Sequence, residues 1–180
     1  VVEMTQSNIE SAGNKVGSHS LVAKLIHWGF IGVFAFAVSK QVDEVEELES
    51  IALLQEEVVV AFIFLALLFA RFFYMRTTKP TVMTIETEKR VYWLARAVHL
   101  GLYVSMAMIA ITGLAIGALY GSGIKQGALL ERVLLSHEII FWISINLMGI
   151  HIIGALYHRL KGDGIWSSMV PVWTEKHSSK

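Results

Sequence analysis

Residues 133–157, VLLSHEIIFWISINLMGIHIIGALY, decide the fold of this chain. A transmembrane helix needs about 20 mostly apolar residues to cross about 30 Å of hydrocarbon. The stretch meets that length and contains no proline, and it carries two histidines, His137 and His151. It is far too long for a strand and therefore predicts a membrane-spanning helix with ionisable side chains inside it.

Three further apolar stretches, residues 21–38, 51–74 and 91–119, also qualify as spans, and Pro80 and Pro171 fall outside all four. The third is longer than necessary, so it tilts or extends past the bilayer. The first follows a polar arm and precedes three more spans, which favours a retained helix over a cleaved signal. The predicted fold is therefore all-α, a transmembrane four-helix bundle.

The composition supports a membrane protein and excludes several chemistries. The 180 residues are 54% hydrophobic and 17% charged, with mean hydropathy +0.57, whereas soluble domains are about 25% charged. Neutral net charge, 15 basic against 15 acidic residues, gives no footprint for nucleic acid. The absence of cysteine excludes disulfides, thiolate metal sites and cysteine nucleophiles. No catalytic residue set is predicted, so the chemistry depends on histidine, carboxylate or a bound cofactor.

The distribution of lysine and arginine predicts the orientation. Of the 15 basic residues, only Lys40, Lys125 and Arg132 lie in the loops after the first and third spans or at their edges. The rest cluster in both termini, the loop between spans two and three and the adjoining helix ends, which the positive-inside rule places in the cytoplasm. We therefore expect a multi-pass bacterial inner-membrane protein with both termini inside.

Five of the seven histidines lie in the spans or at their ends: His27, His99, His137, His151 and His158. Ionisable side chains in a membrane helix are costly and mark functional sites by default. The simpler alternative is that each forms a hydrogen bond between helices. Five in four helices favour the functional interpretation.

The spacing of these histidines indicates two levels in the membrane. His137 and His151 are fourteen residues apart, about 21 Å along the helix, and share one face. His27 lies near the start of the first span, level with His151. Imidazoles from two antiparallel helices can supply both axial ligands of one haem iron. Nearby glycines would let a flat macrocycle approach, or they mark helix contacts: Gly29, Gly32, Gly149 and Gly154.

The chain resembles the bacterial cytochrome b561 family, four-helix membrane cytochromes that include nickel-hydrogenase-type b cytochromes, over about residues 21–171. The landmarks that carry the resemblance are Ile26-His27-Trp28, Arg71, His99, Ser136-His137-Glu138, Gly149-Ile150-His151 and His158. The resemblance implies a di-haem electron carrier with haem b as cofactor. It implies that His27 and His151 ligate the iron of the cytoplasmic haem, and that His137 supplies one ligand of an outer haem.

The second ligand of the outer haem departs from the family pattern. The family has a histidine near the start of the second span, where this chain has Glu57, and no histidine occurs in that span. Three outcomes stay open: no outer haem, a five-coordinate haem on His137, or ligation by Glu57 or a partner subunit. Glu57 is otherwise an ordinary carboxylate at a helix N-terminus. We predict one firmly held haem.

Further side chains are candidate contacts on the cytoplasmic side. His99 also matches a family histidine, and we expect it to contact a haem propionate or a quinone, to act as a reserve ligand, or to form a structural hydrogen bond. His158 could contact a quinone or a propionate, as could three arginines, although arginines at this depth also snorkel to lipid head groups: Arg71, Arg76 and Arg159.

The outer loops and helix ends are acidic, with Asp43, Glu44, Glu46, Glu47, Glu49, Glu56, Glu57, Glu131 and Glu138. Such a field repels superoxide and suits docking of a basic soluble electron carrier. Acidic loops also arise simply from solubility and the positive-inside bias.

The sequence predicts a polar arm at 1–20, a haem-binding four-helix membrane domain at 21–160 and a cytoplasmic or interfacial tail at 161–180. The leading function is a membrane b-type cytochrome that carries electrons between a redox partner and the quinone pool, ubiquinone or menaquinone, as a subunit of a respiratory-type complex. The alternatives are a structural anchor that has lost one or both haems and a stand-alone superoxide or quinol oxidoreductase. The aromatic tail is either an interfacial anchor or a surface for a partner.

Overall fold

The structure, a computed structural model, describes residues 19–39, 51–78 and 89–173. Four long helices span these ranges, and a short one follows: α1 Leu21–Ser39, α2 Ile51–Thr77, α3 Lys89–Gly121, α4 Ala128–Lys161 and α5 Ile165–Met169. All four long helices contain segments long and apolar enough to cross a membrane. The predicted all-α transmembrane four-helix bundle is confirmed.

The helices extend beyond the predicted apolar stretches, most clearly in α4, because their ends are set by caps and not by hydropathy. Gly127 has φ 113° just before α4 begins, and Gly162 has φ 69° where it ends. The Gly162 N–H closes the last turn by donating to the His158 carbonyl at 3.1 Å. Both positive φ values favour glycine over any residue with a Cβ.

The helices pack as an antiparallel series in chain order, α1 on α2, α2 on α3 and α3 on α4. The main buried cluster lies between α2 and α3 and consists of Phe64, Leu68, Met106 and Ala110, with Phe30 and Phe34 of α1 against it. The first and fourth helices are not a packed pair among the described residues. A cleft between α1 and α4 is therefore left open along the bundle.

The outward faces are apolar, with large side chains such as Phe62, Trp142 and Leu160 exposed. Contiguous apolar exposure on this scale is not found on soluble monomers but is expected where lipid covers the surface. We call the end where α1 begins and α4 ends the terminal end, and the end that holds the α3–α4 turn the turn end.

The segment after α4 folds back onto α1 at the terminal end. Lys24 Nζ donates to the Ser167 carbonyl at 3.2 Å, and Trp28 Nε1 donates to the Met169 carbonyl at 3.3 Å. The tail therefore packs on this chain's own first helix, whereas its last aromatic residue, Trp173, is 76% exposed. Residues 1–18 and 174–180 of the predicted arm and tail lie outside the described residues.

Candidate functional site

Three of the predicted site histidines meet at the terminal end, each from a different helix. The ring centres of His27 in α1 and His151 in α4 are 6.4 Å apart, with the ring planes at 88°. The ring centre of His99 in α3 lies 4.9 Å from that of His151. The level assigned to these residues from their spacing thus agrees with the structure.

The His27–His151 separation suits a shared metal centre. An imidazole nitrogen binds a transition metal at about 2 Å and lies about 1 Å from its ring centre, so two axial imidazoles have centres about 6 Å apart. The observed 6.4 Å meets this requirement, and the 4.9 Å between His99 and His151 is too short. The pair also spans the open cleft between α1 and α4.

The four glycines near these two histidines do not mark close helix contacts. A Cβ added at Gly29 or Gly149 would meet nothing within 4 Å. The same holds for Gly32 and Gly154. Of the two interpretations of these glycines, helix–helix contact does not agree with the structure, and access for a macrocycle stays a prediction.

The hydrogen bonding of His99 fixes which of its nitrogens carries the proton. Its Nδ1 lies 2.6 Å from the Ala95 carbonyl oxygen, which can only accept, so Nδ1–H is the donor. The other nitrogen, Nε2, then carries a lone pair, the arrangement that metal-binding or proton-accepting imidazoles adopt. One nitrogen of His99 therefore forms a structural hydrogen bond within α3, and the other is available as a base beside His151.

Arg71 of α2 is a charged side chain close enough to this cluster to act on it electrostatically. Its residue exposure is 9%, and its guanidinium acts electrostatically on both His27 and His151. Tyr103 of α3 is its hydrogen-bonding neighbour, but the Nη1 atom is buried without a partner, as is Nδ1 of His27. Buried polar groups are rarely left unpaired, so the site lacks a partner for both atoms.

His158 has a partner within the chain. Its Nδ1 donates to Asp163 Oδ2 at 2.7 Å, and Asp163 Oδ1 accepts the Ile165 N–H at 3.3 Å. The residue thus joins the end of α4 to the start of α5. Arg76 and Arg159 also have partners within the chain. The guanidinium carbon of Arg76 lies 5.7 Å from the ring centre of Phe72, and that of Arg159 lies 5.3 Å from the ring centre of Trp166.

The turn end holds a cavity of about 750 Å³ to which all four long helices contribute, lined by His137 and by three carboxylates, Glu57, Glu131 and Glu138. This volume lies in the range of about 300–1,000 Å³ typical of small-molecule sites. Most of the lining is apolar, including Phe34, Phe64 and Trp142. Glu57, which stands where the family has the second histidine ligand of the outer haem, lines the same cavity as His137.

His137 is held by a threonine that the sequence did not reveal. Thr112 Oγ1 lies 2.8 Å from His137 Nδ1 and 2.7 Å from the Met108 carbonyl oxygen. The Thr112 hydroxyl thereby connects the imidazole of His137 to the backbone of α3. Thr112 and His137 are on different helices, so only the packing register brings them together.

The two histidine levels can be compared with what a haem requires of a protein. Within residues 19–39, 51–78 and 89–173, no three His, Asp or Glu side chains are close enough to hold a bare metal ion. A haem iron takes four nitrogens from its macrocycle and needs only axial ligands from the protein. The described residues therefore fit haem at the terminal end, with two histidines, and supply one histidine at the turn end.

The fold and these two levels define a class, a four-helix membrane bundle with inward histidines near both ends. A family model described as prokaryotic cytochrome b561 matches residues 18–172. The chain belongs to that family, which confirms the resemblance drawn from the sequence. Membership implies haem b binding and electron transfer in a multi-pass inner-membrane protein. No match was found among curated proteins or among solved structures.

Proposed function

We propose that this chain is a membrane b-type cytochrome whose His27 and His151 are the axial ligands of one haem, and that it passes electrons between a redox partner and the quinone pool. The observation that carries the proposal is the 6.4 Å between the two ring centres across the unpacked α1–α4 cleft. No other histidine pair of the described residues combines a suitable distance with an open cleft.

The chain's own contribution is to hold and insulate the cofactor. Bound haem supplies one-electron iron chemistry. His27 and His151 fix its position from two helices, and the apolar helices exclude water, while His99 stands beside His151 with a lone pair on Nε2. Lipid-exposed faces on all four helices keep this arrangement in the bilayer.

Replacing either proposed ligand tests this assignment. We expect His27→Ala and His151→Ala each to abolish the reduced-minus-oxidised α-band near ~560 nm or to convert the haem to a high-spin form, because one axial ligand is lost. His177→Ala, in the polar C-terminal stretch, is the control and should keep the wild-type spectrum. A wild-type α-band in both ligand variants would refute the pairing.

At the turn end we infer a site with one nitrogen ligand. His137 lines the cavity there, and Glu57 lines it in place of a second histidine. A carboxylate favours oxidised iron and a lower potential than imidazole does, so this site holds haem more weakly or leaves it five-coordinate. Pyridine-haemochrome analysis should give about one haem per chain, and a ratio of two would contradict the inference.

The terminal end faces the cytoplasm in this proposal, which rests on the lysine and arginine distribution. The turn end then carries the acidic surface, of which Glu56, Glu57, Glu131 and Glu138 belong to the described residues, whereas Asp43 to Glu49 lie outside them. The partner proposed there is a basic soluble electron carrier, with further membrane subunits covering part of the lipid-facing surface.

Salt dependence tests the carrier. Electron exchange with a basic soluble carrier should slow as ionic strength rises, because counterions screen the attraction between opposite charges. A neutral small-molecule reductant provides the control and should show no such trend. A carrier rate that is independent of salt would count against docking at the acidic surface.

The structural-anchor alternative derives its support from Glu57 and the incomplete turn-end site. It predicts a purified protein without an α-band, whereas the cytochrome proposal predicts a reducible haem. A stand-alone quinol oxidoreductase would reduce its haem on addition of quinol alone, without any partner protein.

A further inference from the structure

The buried guanidinium of Arg71 is the least satisfied charge in the described part of the chain. Its exposure is 9%, and its Nη1 atom is buried without a hydrogen-bond partner. Burying a cation is tolerated when it is paired and hydrogen-bonded, and costs several kcal/mol otherwise. We therefore expect the Arg71 guanidinium to have an anionic partner in the functional protein.

No carboxylate of the described residues provides that partner. Asp163, which belongs to the same end of the bundle, pairs instead with His158 and Lys161. The groups that surround Arg71 are Tyr103, a neutral hydrogen-bonding neighbour, and the histidines His19, His27 and His151 on which it acts. None of these is an anion, so the environment is electropositive and open on one guanidinium nitrogen.

We propose that Arg71 binds a carboxylate, a propionate of the haem held by His27 and His151, and that it thereby retains this haem and raises its reduction potential. The inference rests on the proposed function. It adds a positioning residue from α2, a helix that supplies no ligand to that haem. Guanidinium forms bidentate, charge-assisted bonds with carboxylates, which explains why arginine and not lysine stands here.

Anionic oxygens reach a membrane arginine from two sources, haem propionates and lipid phosphates. The location distinguishes them, because Arg71 is buried whereas two other arginines at the terminal end, Arg76 and Arg96, are exposed and lie over Phe72 and Trp93. An arginine that serves lipid head groups snorkels outwards. Arg71 instead points its unpaired nitrogen into the protein.

The test combines a protein variant with a chemically altered haem. Full-length wild type, Arg71→Gln, Arg71→Lys and the control Arg96→Gln are loaded with protohaem or with its dimethyl ester, which has no carboxylates. The measured quantities are the rate of haem transfer to an excess of a haem-scavenging apoprotein and the midpoint potential. A hydrogen bond between charged groups is worth enough to predict about tenfold faster transfer from Arg71→Gln.

We expect the effect of esterifying the haem on the rate of haem loss to depend on whether Arg71 is present. Esterification speeds haem loss from the wild type and from Arg96→Gln but adds nothing further in Arg71→Gln, while Arg71→Lys is intermediate. With protohaem, the midpoint potential falls in Arg71→Gln, because a positive charge beside the iron favours the reduced state. An equal effect of esterification on wild type and Arg71→Gln would overturn the proposal.

Comparing detergent with lipid nanodiscs distinguishes a haem propionate from a lipid phosphate as the partner of Arg71. The same measurements in phosphate-free maltoside detergent and in phosphatidylglycerol nanodiscs should agree. An effect of Arg71→Gln confined to nanodiscs would assign the partner to lipid phosphate and overturn the propionate. If Arg71→Gln does not fold, the ester comparison on wild type still decides, because unchanged haem loss on esterification refutes any propionate contact. A wild type with no haem spectrum instead refutes the proposed function itself.

Discussion

The two ends of the bundle use histidine differently. At the terminal end, His27, His99 and His151 come from three helices and meet around a cleft that no helix pair closes. At the turn end, His137 stands alone against a carboxylate-lined cavity, tied by its Nδ1 to Thr112. The same helix, α4, supplies His137 to the turn end and His151 to the cluster at the terminal end.

The difference shows that a repeated ligand on one helix does not make two equivalent sites. What α4 offers at each level is the same imidazole, and the site is completed by what α1 or α2 places opposite. At the terminal end this is His27, and at the turn end it is Glu57. Whether an end of the bundle can hold a haem strongly therefore depends on the side chains that α1 and α2 place opposite α4.

Glu57→His should produce the largest change, because it gives the turn end the second imidazole that it lacks. We expect the haem content to rise from about one to about two per chain, as bis-histidine ligation stabilises the second haem. Pyridine-haemochrome analysis against protein concentration measures it. Glu56→His, at an exposed neighbouring position, is the matched control and should leave the ratio unchanged.

Gly117→Ala tests whether glycines at the turn end serve helix contact whereas those at the terminal end leave open space. An added Cβ at Gly117 would lie 3.1 Å from Val58 Cγ2, on a stiff β-branched side chain. We expect a net loss of about 1 kcal/mol in unfolding free energy after the better helix propensity of alanine is counted. Gly149→Ala meets nothing within 4 Å and should not destabilise the haem-free protein, so equal losses would remove the distinction.

Thr112→Val probes how the single histidine of the turn end is held. The change keeps the shape but removes the hydrogen-bond partner of His137 Nδ1, which costs about 1 kcal/mol when the group stays buried. Denaturant unfolding in detergent measures the loss. Thr77→Val, whose hydroxyl contacts only carbonyls of its own helix, is the control, and it should have less effect than Thr112→Val.

The smallest effect concerns pH at the terminal end. Burial and the neighbouring Arg71 and Lys24 lower the pKa of His19 from its ordinary 6.5. The unfolded chain therefore binds a proton more readily than the folded one, and stability falls as pH drops below 6.5. His19→Asn should flatten this dependence slightly relative to wild type in unfolding measured between pH 7.5 and 5.5. An unaltered pH profile would show that His19 titrates alike in both states.

The topology and the two histidine levels were accessible from the sequence because both follow from local regularities. Apolar length fixes a span, and a fourteen-residue interval returns His151 to the face of His137 after whole turns. The helix ends were less predictable, since α4 runs on to Lys161 until Gly162 closes it. Hydropathy reports the lipid-buried part of a helix and not its caps.

Partners across helices could not be predicted. Thr112 reaches His137 only because α3 and α4 pack in one particular register, and the same holds for Tyr103 beside Arg71. His158 illustrates a different reason: it was a candidate cofactor contact from its place at the end of the fourth span, yet the turn at Gly162 brings Asp163 back onto it. A signal existed there, the Gly-Asp-Gly run at residues 162–164, which marks a helix stop followed by a carboxylate.

The bonds from α1 to the segment after α4 impose an order on biosynthesis. Lys24 and Trp28 are translated before the residues whose carbonyls they bind, Ser167 and Met169, which lie beyond the other three long helices. The first helix must therefore remain untethered on this side until α4 and the segment after it have been translated. The interval before that closure leaves the α1–α4 cleft accessible from the side during membrane insertion, when a large planar molecule could still enter between the two helices.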